Sequence, residues 1–402
     1  MTHEPPLSAL GTPLASVTHT HDGSTHTHVG PHAHHGGVPA GPPPRLHLRG
    51  TVLPGGEERD LWVVDGRLSF TPVPDAETVA TGVWILPGLV DAHCHIGLGH
   101  QGVVDAETAE RQALTDRDAG TLLIRDAGSP ADTHWIDERD DLPRIIRAGR
   151  HIARPFRYIR NYAVEVEPDA FVAEVETQAR RGDGWVKIVG DWIDRDIGDL
   201  SPLWPAGVAK AAIDAAHALG ARVTAHCFDE RSVTELVNAG IDGIEHGTGL
   251  DDATIATMAE RQVALVPTLI NIETFPDIAE RGEDKFPLYA AHMRALHARR
   301  FETIGKAKDA GVPIYSGTDA GGTLSHGILP DEIALLARVG GPEFALGAAS
   351  WRARAWLGED ALADGASADL LVLDADPRKH LQVVRHPRLI VLRGRVVGGS
   401  AG

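Results

Sequence analysis

The sequence has few cysteines, few cations and no long apolar run, and each shortage argues against a class of protein. Its 402 residues include only Cys94 and Cys227, fewer than a secreted disulfide scaffold carries. Lysine and arginine total 38 against 56 acidic residues, and the charge of −18 argues against nucleic acid or an anionic membrane as the main partner. No run reaches the roughly 18 apolar residues of a membrane span, and the N-terminus lacks a signal-peptide pattern. We therefore expect a cytoplasmic globular protein.

Residues 1–44 differ in composition from the rest of the chain. They are rich in histidine, glycine, proline, serine and threonine, with few large apolar residues, so they cannot bury enough surface to fold alone. We expect this segment to be a disordered tail. Because imidazole binds borderline metals, metal gathering by the tail is a second hypothesis, and it rests on His19, His21, His26, His28, His32, His34 and His35.

Short β-like segments lie at both ends of the remaining chain. Residues 45–53, 60–70 and 81–88 have the apolar texture and turn residues of short strands. Residues 368–377 and 388–398 repeat this texture near the C-terminus. We therefore predict a small β-sandwich domain built from both termini, residues 45–86 and 366–402, which would hide its strand edges.

Between these two parts, short apolar strands alternate with amphipathic helices. Helix-like segments such as 206–220, 230–240 and 292–311 end in Ala-Gly or Leu-Gly, a common helix stop. Strands that are almost wholly apolar indicate a parallel sheet covered by helices. Because the unit repeats seven or eight times over about 280 residues, we predict an α/β protein with a TIM (β/α)8 barrel over residues 87–365. A doubly wound sheet is the alternative.

Six polar or ionisable residues stand at the ends of these apolar strands. In a parallel barrel the strand ends share one face, so the six side chains converge. His93 and His95 are two residues apart and point the same way, whereas Cys94 between them points away. Buried imidazoles and carboxylates need partners, which a pair of divalent metals would supply. The six residues are His93, His95, Lys187, His226, His246 and Asp319.

Lys187 is the unusual member of this set, because two dications repel a cationic amine. A buried lysine loses its proton readily. The neutral amine can then react with carbon dioxide to give a carbamate, whose two oxygens can bridge two metals. Alternatively, Lys187 is an ordinary lysine paired with Asp191, which would leave a one-metal site.

The arrangement resembles the amidohydrolase superfamily over roughly residues 45–400. GIEHGT and the His-Gly pair at 326–327 are most similar to the branch that contains prolidase-like dipeptidases and imidazolonepropionase-like enzymes. The matching motifs are VDAHCH at 90–95, VKI around Lys187, TAHC around His226, GIEHGT around His246 and SGTDAG around Asp319.

The resemblance implies a role for each matching residue. His93 and His95 would hold one metal with Asp319. His226 and His246 would hold the other. Carboxylated Lys187 and a hydroxide would bridge two divalent ions, expected to be Zn²⁺, with Mn²⁺, Fe²⁺ or Co²⁺ as alternatives.

The enzyme implied by the resemblance is a metal-dependent hydrolase of a C–N bond in a small molecule. The bond would be an amide, a peptide-like bond or a cyclic amide. Asp319 would take the proton from the attacking water and give it to the leaving amine.

Other functions stay open on the sequence alone. A lactone or phosphotriester hydrolase would use the same site and the same hydroxide. A non-catalytic metal-binding scaffold that keeps the fold is the alternative from another class. The expected partner is a small-molecule substrate, with neither nucleic acid nor membrane. Homo-oligomers are common in the superfamily, so a homo-oligomer is expected by analogy.

Five residues are candidates for substrate contacts, and each has a structural alternative. His326 would face the substrate or be an ordinary loop histidine. Arg160, with Tyr158 and Tyr162, would bind a substrate carboxylate or carbonyl, or else be a structural arginine. Trp192 would line an apolar pocket or pack between barrel and helix.

Four further residues near the ligands have a structural interpretation. We expect Cys94 to be a small core residue that faces away from the metals. Asp91 is expected to support the ligands from behind or to cap a helix. Arg125 and Asp126 are expected to form ion pairs inside the barrel.

Overall fold

A computed structural model describes residues 16–21, 24–29 and 41–400 of the chain. Ser16–His21 and Ser24–Val29 pair as a two-stranded antiparallel sheet within a first unit that ends at residue 41. Four of the tail histidines, His19, His21, His26 and His28, lie in these two strands, and the other three lie outside the described residues. Metal gathering by the histidines stays a prediction, as does disorder of the tail outside the two strands. The features below belong to the second unit, which begins at Pro42.

A seven-stranded sheet combines segments from both ends of this second unit. Leu46 and Leu48 are buried while His47 and Arg49 are less so, which is the period of two expected of a strand. Completion of the sheet as a β-sandwich stays a prediction. In spatial order, the strands are Arg395–Gly398, Leu389–Leu392, Leu370–Leu373, Glu77–Pro87, Leu46–Val52, Glu57–Val64 and Arg67–Ser69.

Two further sheets consist almost entirely of parallel pairs, and they confirm the predicted α/β class. Their central strands are buried along their whole length because both faces are covered. The first sheet runs Arg144–Arg147, Thr121–Asp126, Leu89–Gly99 and Ala320–Gly322, with Gly102–Val103 antiparallel to Leu89–Gly99. The second runs Val164–Glu165, Ile152–Ala153, Trp185–Val189, Arg222–Cys227, Gly243–His246 and Ala264–Val266.

Backbone hydrogen bonds join the two parallel sheets at two places. Arg144–Arg147 pairs with the first sheet, and a few residues later Ile152–Ala153 pairs with the second. On the other side, the amide of Leu265 donates to the carbonyl of Pro313 at 2.8 Å. The amide of Ala92 donates to the carbonyl of Ser316 at 2.9 Å. Residues 313–316 therefore contact a strand of each sheet.

Helices follow most of the parallel strands and cover their outer faces. Asp105, Asp229 and Asp251 cap three of them by accepting a hydrogen bond from the amide three residues ahead, as the sequence pattern of capped helices requires. Among the helices of the described residues, none combines the length and the apolar character of a membrane span. The α-helices are Ala106–Asp118, Phe171–Arg181, Ala206–Ala218, Glu230–Ala239, Asp252–Arg261, Leu269–Ile272, Phe275–Gly282, Pro287–Asp309, Leu329–Ala348 with a kink at Gly341, and Trp351–Trp356; His134–Glu138 and Leu381–Arg385 are 3-10 helices.

Candidate metal centre and active site

Five of the six predicted strand-end residues approach one another at the ends of the parallel strands. The Nε2 atoms of His93 and His95 lie 3.0 and 2.9 Å from the same oxygen, Oδ1 of Asp319. The Nδ1 atom of His226 lies 2.9 Å from Nε2 of His246. The His93 and His246 rings are 5.2 Å apart, so the two groups adjoin.

The side-chain contacts of three histidines fix the direction of their rings. Nδ1 of His93 lies 2.7 Å from Oε2 of Glu245. Nδ1 of His95 lies 2.6 Å from the carbonyl oxygen of Gly128. Nδ1 of His246 lies 2.7 Å from the hydroxyl of Thr268. In all three rings Nε2 is therefore left to face the centre of the site, the pattern that outer hydrogen bonds impose on metal-ligating histidines.

The donor set suits a divalent metal of the zinc type. Imidazole nitrogens and a carboxylate are the ligands that such ions prefer. One nitrogen of each of His93 and His246 and one oxygen of Asp319 lie within 4.8 Å of one another. Nε2 of His226 is buried and has no hydrogen-bond partner among residues 41–400. A buried polar atom without a partner is costly, and a ligand in the site would relieve that cost.

The backbone adopts unusual conformations at the site. His246 and Asp319 have φ values of 67° and 60°, in the left-handed region that residues other than glycine rarely adopt. Such strain persists where the surrounding structure holds it, and it clusters at functional sites. Close packing also explains one glycine of the SGTDAG motif: a Cβ at Gly317 would lie 2.7 Å from Cβ of His93.

Asp91 joins the two segments that carry the ligands. Its carboxylate accepts hydrogen bonds from the amides of His93 and Thr318, both at 3.1 Å, and from the Thr318 hydroxyl at 2.6 Å. Burial, followed by the charge of Asp116, raises the pKa of Asp91 to about 7. The expected supporting role therefore agrees with the contacts, which hold the His93 strand against the Asp319 loop.

Arg125 forms its buried ion pair with a residue that the sequence analysis did not single out. Its Nη2 lies 2.5 Å from Oε1 of Glu245, which also accepts from the Thr224 hydroxyl. Burial opposes ionisation of Glu245, but Arg125 and His93 outweigh it and hold the pKa of this carboxyl well below its usual range. Asp126 instead accepts from the amides of Ile96 and Gly128, at 3.0 and 2.8 Å. Pairing between Arg125 and Asp126 is not observed among the described residues.

Lys187 lies on the central strand Trp185–Val189 and is almost completely buried. Burial lowers the pKa of its amine, against the opposing charges of Glu245 and Asp319. Asp191, its alternative partner, accepts instead from the amides of Phe228 and Asp229, at 2.9 and 3.1 Å. Within residues 41–400 there is no ion pair between Lys187 and Asp191.

Cys94 faces away from the histidines, as the strand alternation predicts. It is fully buried among apolar residues that include Ile96 and Ala109. Burial, and after it the carboxylates of Asp91 and Asp116, raise the pKa of the thiol well above its usual value. Cys94 is therefore a neutral core residue.

The candidate substrate residues separate into two groups. Tyr158, Tyr162 and Trp192 lie near the histidines, with the Trp192 ring 4.8 Å from Tyr158 and 5.5 Å from His226. Arg160 is exposed and forms no hydrogen bond or ion pair with residues 41–400. The distances and contacts therefore bring the aromatic candidates to the site and leave Arg160 at the surface.

His326 packs against helix Ala106–Asp118. Its Nδ1 atom lies 2.8 Å from Oδ2 of Asp116, whose other oxygen accepts from the Gly327 amide at 2.7 Å. The same two side chains lie close to the Cys94 thiol, on the side of that strand that faces away from the histidines. These contacts agree with the alternative in which His326 is an ordinary loop histidine.

His151 belongs to the site region but was missed by the sequence analysis. Its ring is buried 4.9 Å from the His95 ring and 5.5 Å from the Tyr158 ring. The sequence places it just before Ile152–Ala153, and a lone histidine beside two apolar residues is a weak signal. Its position at a strand paired to Trp185–Val189 would have revealed it.

Comparison with known proteins places the chain in a family. Residues 84–397 match the model of the amidohydrolase family. Uncharacterised proteins of Mycobacterium tuberculosis, Rv2915c, and Mycobacterium bovis, Mb2939c, are each 60% identical over 356 residues, covering 88% of this chain and 96% of theirs.

Solved structures show the same fold at lower identity. A Xaa-Pro dipeptidase with bound methionine superposes with a TM-score of 0.74 at 22% identity, over 88% of this chain and 100% of that one. A Bifidobacterium longum protein provisionally called a prolidase gives 0.76 at 25%, over 90% and 97%. The A. niger ochratoxinase gives 0.71 at 18%, over 89% and 96%. With a family match that spans most of its length, the chain belongs to the amidohydrolase family.

Proposed function

We propose that this protein is a metal-dependent hydrolase that cleaves a C–N bond in a small molecule. The bond is an amide, a peptide-like bond or a cyclic amide. The observation that carries the proposal is the orientation of His93, His95 and His246. Each ring is held from behind through Nδ1 and presents Nε2 to the centre of the site. Histidines that served only the core would have no reason to share this orientation.

The proposed fold is a complete (β/α)8 barrel with a terminal β-sandwich. Residues 144–153 would form one barrel strand that pairs with both parallel sheets. Residues 313–316 would be the eighth strand, because they hydrogen-bond to Leu265 and Ala92 on either side. Closure would bring all eight strand ends to one face, the usual position of active sites in such barrels.

The residues present fit two divalent ions, for which zinc is the proposed identity. His93, His95 and Asp319 would hold one ion, and His226 and His246 would hold the other. Lys187, as a carbamate, would supply an anionic bridge between them. Two ions bound here would lower the pKa of a water molecule and would polarise the carbonyl of the substrate.

Asp319 is the proposed proton carrier. Its Oδ1 atom meets both His93 and His95, and its side chain is 22% exposed, whereas both histidines are almost fully buried. The carboxylate would accept a proton as the water oxygen bonds to the carbonyl carbon. It would then deliver that proton to the nitrogen as the C–N bond breaks, so that an acid and an amine leave.

The fold neighbours agree with hydrolytic chemistry but differ in what they act on. Their names include a Xaa-Pro dipeptidase, an ochratoxinase, a molinate hydrolase and a phenylurea hydrolase. Such variety supports a common site with variable loops. The cytoplasmic location and the homo-oligomeric state stay predictions.

The test is turnover by the full chain after loading with Zn²⁺ or Mn²⁺. The panel contains neutral amides, dipeptides, cyclic amides, a lactone and a phosphotriester, with release of acid and amine followed by chromatography.

Metal content is compared between the wild type and the His93→Asn/His226→Asn variant, since the N-terminal histidines contribute equally to both. We expect a difference of about two ions per chain and turnover of at least one amide. A full metal load without turnover of any compound would favour the scaffold alternative.

A further inference from the structure

Three aromatic side chains border the histidine pair His226–His246; we call Tyr158, Trp192 and Phe228 the aromatic wall. The Tyr158 and Trp192 rings are 5.7 and 5.5 Å from the His226 ring. The Phe228 ring is 4.3 Å from His226 and 4.9 Å from His246. Tyr158 and Trp192 are only half-buried, so residues 41–400 leave part of the wall exposed.

A hairpin holds Trp192 in place. Asp191–Asp194 pairs antiparallel with Asp199–Pro202, and Arg157 donates to the Trp192 carbonyl at 3.1 Å and to the Ser201 hydroxyl at 2.8 Å. The turn is also anchored, because the Tyr289 amide donates to the Gly198 carbonyl at 3.1 Å. Trp192 is therefore a fixed part of the site, which lowers the entropy lost when a ligand packs on it.

The second and third members of the wall are connected through one carboxylate. Asp191, directly before Trp192, accepts from the amide of Phe228 at 2.9 Å. Trp192 also meets the Tyr158 ring edge-on at 4.8 Å. One network thus sets the position of the aromatic wall relative to His226.

Three arginines of the neighbouring loop are turned to other partners, and Arg160 lies exposed at the surface. Arg150 donates to the Tyr162 carbonyl at 2.9 Å, and Arg154 pairs with Glu167 at 3.1 Å. Arg157 is occupied by the hairpin, where it also pairs with Asp194 at 3.1 Å. Among the described residues, no lysine or arginine lies over a ring of the aromatic wall. A substrate carboxylate at this position would lack the bidentate partner that it prefers.

We propose that the substrate carries a flat apolar group, aromatic in character, which packs against Tyr158, Trp192 and Phe228 beside His226, and that no carboxylate is recognised there. The inference rests on the proposed function and narrows its substrate class to neutral aromatic amides. Hydrolysis adds water across the C–N bond and releases a carboxylic acid and an amine, one of which carries the ring.

The experiment compares four probes on the zinc-loaded full chain. Acetanilide carries its ring on the amine side, and N-methylbenzamide carries it on the acyl side. N-Methylacetamide is the neutral aliphatic control, and glycylproline is the carboxylate control. We expect kcat/KM for one of the aromatic amides to exceed that for both controls by at least about tenfold, a difference of roughly 1.4 kcal/mol.

Three variants connect that preference to the wall. Trp192→Ala should raise KM for the favoured aromatic amide on the order of tenfold and should change KM for N-methylacetamide by a much smaller factor. Phe70→Ala is the matched control, because Phe70 is an exposed aromatic residue directly after the strand Arg67–Ser69. Arg160→Ala tests the rival carboxylate site. Preference for glycylproline, with a KM that rises in Arg160→Ala and not in Trp192→Ala, would overturn the proposal.

Failure of the proposed function gives a different result. If no probe is hydrolysed, binding of the two aromatic amides is measured by calorimetry on Asp319→Asn, alone and combined with Trp192→Ala. Binding that the second substitution weakens would support the aromatic site in a protein that is not a hydrolase. Absence of binding to Asp319→Asn would overturn the inference.

Discussion

Glu245 contacts His93 with one carboxylate oxygen and Arg125 with the other, at 2.7 and 2.5 Å. A residue that is not itself a predicted ligand therefore connects a metal-site histidine to a buried cation. The three side chains come from three different strands. The orientation of the His93 ring consequently depends on the buried ion pair between Glu245 and Arg125.

Glu245→Gln should weaken metal binding by roughly 10–100-fold, the usual effect of losing a carboxylate behind a ligating histidine. The amide keeps the size of the side chain but removes the charge that faces both His93 and Arg125. Zinc affinity is measured by competition with a chromophoric chelator. Glu58→Gln is the control, because Glu58 is exposed on the seven-stranded sheet. Equal affinities for the two variants would mean that Glu245 supports only the fold.

Asp319→Asn should lower kcat by a factor on the order of 10²–10⁴, because the amide cannot carry a proton. Circular dichroism and the melting temperature should stay close to those of the wild type. A variant that folds, binds metal and retains full turnover would remove Asp319 from the proton-transfer role.

Lys187→Ala should reduce the metal content and abolish turnover, since the shortened side chain cannot form a carbamate and leaves a space in its place. Acetate or propionate at millimolar concentration should restore part of both by supplying the missing carboxylate. Elemental analysis and turnover are followed together. If the variant binds two ions without added carboxylate, the bridge does not come from Lys187.

His292 should make stability depend on pH. It lies 3.0 Å from Glu230 and 2.9 Å from Asp199, and these contacts, led by the Glu230 hydrogen bond, raise its pKa to about 9. Because this value exceeds the unfolded one of about 6.5, the stabilisation is complete below pH 6.5. It is lost as the pH rises through 9.

His292→Gln should therefore cost about 1–2 kcal/mol at pH 6 and much less at pH 10. Urea unfolding of both proteins at the two pH values measures the difference. His217→Gln is the control, because His217 is more exposed and its ring pairs only with Asp242 within residues 41–400. A penalty for His292→Gln that is the same at both pH values would show that packing, and not charge, dominates.

The convergence of the three histidine strands on Asp319 could be predicted from the sequence because polar residues at the ends of apolar strands have few alternatives. Glu245 could not, since its partners Arg125 and His93 lie 120 and 152 residues away. A carboxylate can be predicted to be buried only when the cation that pairs with it is known. The same holds for His326, whose partner Asp116 is 210 residues distant.

The segment after Ile152–Ala153 shows why local sequence patterns could not predict how the aromatic candidates reach the site. Strand pairing ends at Ala153, before the aromatic candidates Tyr158 and Tyr162. Pro155 follows closely, and a residue without an amide hydrogen cannot continue the ladder. The aromatic residues beyond it reach the site through a loop, and the sequence does not encode that path in any periodicity. Likewise, no alternation in the sequence indicates that Asp191–Asp194 pairs with Asp199–Pro202.

The hairpin that carries Trp192 lies between Gly190 and Leu203. Its base is closed by one backbone hydrogen bond, from the Leu203 amide to the Gly190 carbonyl at 2.9 Å. None of the six strand-end residues lies between those two positions. Other sequences of equal length could be grafted between Gly190 and Leu203, provided that they keep Asp191 and Asp199. These two carboxylates contact the Phe228 amide and the His292 ring outside the hairpin. Such a library would vary the surface beside His226 while the six strand-end residues stay unchanged.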